Sequence, residues 1–208
     1  MKKSSVSEMT QVALFSAIVV ALAMIPGIGY IPLGITRATT IHIPVILASI
    51  LLGPKKGALV GGVFGLTSLF TNTFSPTLTS FVFSPFYAGG NVLSLVICFV
   101  PRILTGVVPY YVYTLLSKKQ AGNVPALALS GFLGSMTNTL LVMNMIYLFF
   151  GKSYAAAKNI TVGLYDVILG VICVNGALEA VVAAVLITGL CKALIPYLKR
   201  NLKPVKSL

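Results

Sequence analysis

Ile43-Pro44-Val45-Ile46-Leu47-Ala48-Ser49-Ile50-Leu51-Leu52-Gly53-Pro54-Lys55-Lys56-Gly57, followed by Ala58 to Phe70, reads as a helical hairpin. Both arms are uncharged and too apolar to stand alone in water, and the turn between them holds the charge. Lysines between short apolar segments stay on the cytoplasmic side, because translocating them is costly and the inner leaflet attracts them. This one assignment orients the rest of the chain. Gly57, Gly61 and Gly65 recur every fourth residue in the second arm, a small-residue stripe that lets another helix backbone approach closely. The arms, near 12 and 14 residues, amount to about 18 and 21 Å of helix at ~1.5 Å per residue, short of the ~30 Å hydrocarbon layer. Loops folded down above them would enclose a cavity, since irregular backbone at membrane depth needs protein or water around it.

Composition agrees. Of 208 residues, 57% are hydrophobic and 9% charged, with mean hydropathy +0.99. A soluble domain carries roughly 25% charged residues, so the expected class is an all-α polytopic membrane protein, one integral-membrane domain over residues 1–208 with no soluble second domain. The net charge of +12 lies beside apolar runs, not in a basic patch interleaved with aromatics, so it reports topology and not nucleic-acid binding. Cys98, Cys173 and Cys191 lie within apolar runs without CxxC spacing, which supports neither a disulfide framework nor a zinc site. Lys2, Lys3 and the apolar segment after them resemble a signal peptide, but the segment is needed as the first of the spans.

Six spans are expected: Thr10 to Ile25, the two arms, Ala88 to Leu116, Val124 to Phe150 and Val162 to Leu194. Gly27 to Thr40 reads as a loop of mixed extended structure, and Thr71 to Pro85 as a polar then aromatic outer loop partly buried over a site. Ala88 to Leu116 is interrupted by Pro101-Arg102 and Pro109. Splitting it into two crossings would put Lys118, Lys119 and the basic tail opposite Lys55 and Lys56, so one kinked span is preferred. With both termini cytoplasmic, 11 basic residues fall inside (Lys2, Lys3, Lys55, Lys56, Lys118, Lys119, Lys192, Lys199, Arg200, Lys203, Lys206) and 3 outside (Arg37, Lys152, Lys158). That bias supports the count and the orientation. Ala13, Ala17 and Ala21 form a small-residue groove on the first span, serving either an external helix or packing within the chain.

Polar groups inside spans are functional candidates by default. Arg102 shares a helix face with Asn91 and Cys98; Glu179 follows Asn175 by four residues; Thr137 and Asn144 lie seven apart with Asn138 beside them. These groups could line one polar pocket, or Arg102 and Glu179 could simply neutralise each other. His42, the single histidine, has no ligand cluster around it and suits a structural hydrogen bond better than a metal. Gly151-Lys152-Ser153 imitates the end of a phosphate loop, but the required first glycine falls at Ile146. No GxSxG, HExxH, CxxC or paired aspartates occur. The chain shows no motor of its own, so a transport module of this kind either passes solute down a gradient or borrows a motor. An intramembrane enzyme would have only Arg102, Glu179, Asp166 and His42 to work with.

The order and spacing of Thr40-Ile41-His42-Ile43-Pro44-Val45-Ile46, Leu51-Leu52-Gly53-Pro54-Lys55-Lys56-Gly57-Ala58, Gly65-Leu66-Thr67-Ser68, Pro101-Arg102-Ile103-Leu104-Thr105-Gly106, Thr137-Asn138-Thr139 and Asn175-Gly176-Ala177-Leu178-Glu179 resemble the substrate-binding S components of energy-coupling-factor vitamin transporters, over essentially the whole chain. The resemblance implies six helices holding a vitamin under outer loops. It also implies a bacterial cell-membrane location, no cofactor and no metal. Docking through Ala13, Ala17 and Ala21 on a transmembrane coupling subunit driven by two ATPase subunits follows from it too. The pantothenate-specific branch is the most similar; niacin, pyridoxine-type, folate or riboflavin branches and a stand-alone facilitator are the alternatives. The substrate-contacting set is then expected among Arg37, His42, Asn72, Tyr87, Asn91, Arg102, Asn138, Asn144, Asn175 and Glu179. Depth favours Arg37, or backbone and Asn donors from the outer half, over Arg102 for the carboxylate, since Arg102 lies roughly 21 Å into its span.

Overall fold

The computed structural model describes residues 3–25, 29–33, 36–117, 122–161 and 163–201. Its elements are helix α1 (Lys3–Met24), strands β1 (Tyr30–Leu33) and β2 (Thr36–Thr39), then α2 (His42–Leu52), α3 (Pro54–Phe74), α4 (Val92–Thr105), α5 (Val108–Leu116), α6 (Val124–Ala157), α7 (Leu164–Val171) and α8 (Ala177–Asn201). A 3-10 turn, Ser80–Val82, lies between α3 and α4, and a π turn, Ile172–Gly176, joins α7 to α8.

The α2–α3 hairpin is the centre of the bundle. Every residue of α2 is buried, as a helix apolar all round requires, and it touches α1, α3, α4, α5, α6 and α8. Gly53, at φ +92°, reverses the chain, and Pro54 starts α3 at a position where a missing N–H costs nothing. Val12, Phe15, Val19, Leu22 and Ala23 of α1 pack onto this core. The opposite face leaves Ala13, Ala17 and Ala21 exposed, so the groove is not filled by the described residues. Near the N-terminus of α1, Glu8 meets Lys56 at 3.0 Å; this end of the bundle is called the turn end, and the other the loop end. The glycine stripe serves the α3–α4 contact. A Cβ on Gly57 would collide with the carbonyl of Gly106, one on Gly61 with that of Arg102, and one on Gly65 would sit 3.2 Å from that of Cys98.

Several sequence expectations need correction. The second arm is longer than Ala58 to Phe70: α3 runs over 21 residues and takes in Thr71 to Phe74, where the Thr73 hydroxyl and Asn72 amide turn back onto the carbonyls of Leu69 and Ser68 in the same helix. The fifth span continues past Phe150 to Ala157. The chain is also not purely helical. Tyr30–Leu33 and Thr36–Thr39 pair as an antiparallel hairpin, Tyr30 opposite Thr39 and Pro32 opposite Arg37, within the segment read as extended. The kinked span over Ala88 to Leu116 appears as α4 and α5, broken at Gly106-Val107 because Pro109 has no N–H to continue the ladder. By length and composition four helical runs can cross a bilayer, Pro54–Phe74, Val92–Leu116, Val124–Ala157 and Leu164–Ile195, and Glu8–Met24 and His42–Leu52 are shorter apolar helices.

Candidate functional site

A cavity of about 440 Å³ lies between α3, α4, α6 and the α7–α8 junction, beneath residues 77–83 and beside β2. Its wall from α3 is Ser68, Thr71 and Asn72. Asn72 donates to Ser68 O (2.8 Å) and accepts from Ser80 Oγ (2.9 Å), and Ser80 Oγ takes the Thr77 N–H (2.8 Å). The Ser94 hydroxyl, donating to Phe81 O at 2.7 Å, and the Thr73–Ser84 hydroxyl contact at 2.7 Å fix the same segment. Residues 77–83 are thus fastened over the cavity, with Phe81 edge-on to Phe150 beneath them.

Arg102 enters from α4 and is 6% exposed. One guanidinium nitrogen donates to Ile97 O (2.8 Å), and the head lies 4.9 Å from the Phe83 ring centre and 5.5 Å from that of Phe64. Aromatic faces attract a cation, and the back-turned bond aims the head toward the loop end. From α6 come Asn138 and Thr139, then Val142, Met143 and Ile146, then Tyr154 and Lys158. Asn138 is 7% exposed, and its carbonyl oxygen has no partner among the described residues, a cost a bound donor would relieve. The π turn supplies Asn175 and Gly176, with Val171 before and Glu179 after it. A Cβ on Gly176 would lie 2.9 Å from the Thr139 methyl, so the junction presses directly on α6. Glu179 accepts the Thr39 N–H at 2.7 Å, tying the β-hairpin to this wall.

Asn72, Arg102, Asn138, Asn175 and Glu179 are therefore brought together as cavity wall. Arg37 lies on β2, but its side chain is outside the described residues. His42 is buried at the start of α2 and is not among the residues that line the cavity; the Thr39 backbone is a polar neighbour of its ring. Asn91 caps α4, accepting from Leu93 N in a reciprocal box with Ser94. Asn144 donates to Leu140 O of its own helix, and Thr137 likewise to Leu133 O. Tyr87 packs beside the aromatic cluster of Phe81 and Phe150. Lys158, read as a residue of the last outer loop, follows the final turn of α6 and lines the cavity with Tyr154. Among the described residues no His, Cys, Asp or Glu cluster could hold a metal ion.

An apolar bundle around one buried, mixed-charge cavity is the setting in which the relatives of this chain decide its class. The family model described as ECF transporter, substrate-specific component matches residues 7–191. The chain belongs to that family. The pantothenic acid transporter PanT of Lactococcus lactis subsp. cremoris is 38% identical over 201 residues, covering 93% of this chain and 96% of the relative. The pantothenate transporter PanT of Leuconostoc mesenteroides subsp. mesenteroides is 28% identical over 196 residues, 89% and 91% of the two chains. As an S component this chain is a multi-pass membrane protein of a transport system, and its apolar helices are its membrane-embedded part.

Proposed function

We propose that this S component binds pantothenate in the cavity and releases it across the membrane while docked on a coupling subunit driven by two ATPase subunits. The observation that carries the ligand assignment is the match over nearly the full length to two transporters named for pantothenate. The chemistry of the wall agrees with it. Pantothenate has a carboxylate, an amide, two hydroxyls and a dimethyl carbon; the cavity offers two cations, several hydrogen-bonding groups at Asn138, Thr139, Asn175 and Glu179, and an apolar waist of Val142, Met143 and Ile146. The substrate set in this reading is Asn72, Arg102, Asn138, Asn175 and Glu179, with Tyr154 and Lys158 added.

The topology we propose is six membrane helices with both termini cytoplasmic. The Glu8–Lys56 contact supports it by putting the start of α1 at the same end as the lysine turn, and the basic residues are distributed accordingly. The exposed Ala13, Ala17 and Ala21 are the docking groove of this reading. The test is binding of a panel of radiolabelled vitamins to the detergent-purified chain: saturable binding of pantothenate alone is expected, and preference for a different vitamin overturns the assignment.

A further inference from the structure

We propose that Phe83 is a positioning residue for anion recognition: it holds the Arg102 guanidinium where the carboxylate of pantothenate meets it, so the segment over the cavity sets the preference for an acid over a neutral ligand. The identity of the ligand rests on the reading above. Arg102 comes from α4 and Phe83 from the covering segment, yet both line the same cavity. The head of Arg102 lies 4.9 Å from the Phe83 ring centre and 5.5 Å from that of Phe64 on α3, and its Nη1 donates to Ile97 O at 2.8 Å. One cation is thus held by its own helix through a hydrogen bond, and by α3 and the covering segment through a ring each.

Depth counts against Arg102 only while its position in the sequence is the measure. The bond to Ile97, five residues back along α4, raises the head about one helical turn, ~5 Å, toward the loop end. Ring faces attract a cation through their quadrupole, whereas a carboxylate is recognised by N–H groups in the guanidinium plane, so the two kinds of contact complement each other. Glu179, the acid of the same wall, takes the Thr39 N–H at 2.7 Å and the Thr139 side chain. A ligand carboxylate is repelled from it and drawn to Arg102, which at 6% exposure acts with little screening by water. Of the two rings, Phe83 is the one that can be altered alone. Phe64 is 1% exposed in the core of the bundle, where its loss would be felt by the whole fold. Phe83 is half-buried beside the Phe81 and Phe150 cluster, on a segment fastened independently by Ser94 on Phe81 O and by Thr73 on Ser84. Removing its ring face changes the setting of the Arg102 head without releasing the segment.

The experiment is competition against labelled pantothenate on the purified full chain, comparing the acid with pantothenol, in which a hydroxymethyl group replaces the carboxylate. The parent should bind the acid more tightly. In Phe83→Leu, which keeps apolar bulk but has no ring face, the ratio of acid to alcohol affinity should fall about threefold to tenfold, as for a partly desolvated cation–ring contact, with pantothenol affinity within about twofold of the parent. Phe83→Tyr should restore the parental ratio. Arg102→Gln should bring acid and alcohol to nearly equal affinity; if that variant does not fold, the Phe83→Leu ratio decides. Equal losses for acid and alcohol in Phe83→Leu overturn the proposal, because they mark a packing role, and so does an unchanged ratio in Phe83→Leu or in Arg102→Gln. A parent that binds the alcohol as well as the acid overturns it too. A parent that binds neither overturns the pantothenate reading itself, which separates that failure from failure of the positioning role.

Discussion

Gly61 faces the carbonyl of Arg102, with the carbonyl carbon and the next Cα at 3.0 Å from where a Cβ would stand. Any side chain there must push α4 away and take the guanidinium with it. Gly61→Val should therefore destabilise the fold by on the order of 1–3 kcal/mol through overpacking and weaken ligand binding together with it, read by thermal melting in detergent and by equilibrium binding. Gly62, with open space at its Cβ position, is the control: Gly62→Ala should melt at or slightly above the parent temperature. At this scale the floor of the cavity was legible beforehand. Arg102, Asn138, Asn175 and Glu179 are polar residues in apolar runs, and a polar group at membrane depth needs a reason. Asn91 and Asn144 carry the same outward signature, yet one caps a helix and the other bonds to its own backbone. Residue type cannot separate those uses from ligand binding; only the direction of the side chain does.

The fifth span, expected to end at Phe150, continues as helix through Gly151-Lys152-Ser153 to Ala157. Carried on through Tyr154, the helix delivers Lys158 to the cavity. The segment after α3 shows the converse, since its polar start was read as loop but is the last turn of a helix whose Asn72 then holds the covering segment. That bond gives an element-scale prediction. Asn72→Ala leaves Ser80 Oγ without its acceptor and loosens residues 77–83, so hydrogen exchange there should speed up while α2 and α4 keep their protection; uniform loss of protection would contradict it. The cap at Asn91 is separable. Asn91→Ala should cost about 0.5–2 kcal/mol of stability, with pantothenate affinity unchanged, because that side chain is no part of the cavity wall.

For the whole molecule, the deciding feature is a face of α1 that the described residues leave bare. If Ala17 meets a helix of the coupling subunit, Ala17→Trp places an indole where two backbones approach. Uptake in cells should collapse while the purified chain still binds ligand at parental affinity; loss of binding in the isolated variant would return the groove to internal packing. The chain reconstituted alone should likewise fail to accumulate pantothenate against its gradient. The apolar helical character of the chain and its lysine turn could be read from the sequence because charge and hydropathy are local signals. The joining of α3, α4, α6 and the π turn around one space could not, because it depends on which faces meet. The three glycine contacts of α3 on α4 bear on how such a molecule can move. Gly57, Gly61 and Gly65 engage Gly106, Arg102 and Cys98 like teeth one helical turn apart, and a slip short of a full tooth would bring side chains where only glycine leaves room. The two helices travel as a single stiff plank, so the strokes of an import cycle must be taken up at other joints, with Arg102 carried along as a fixed passenger.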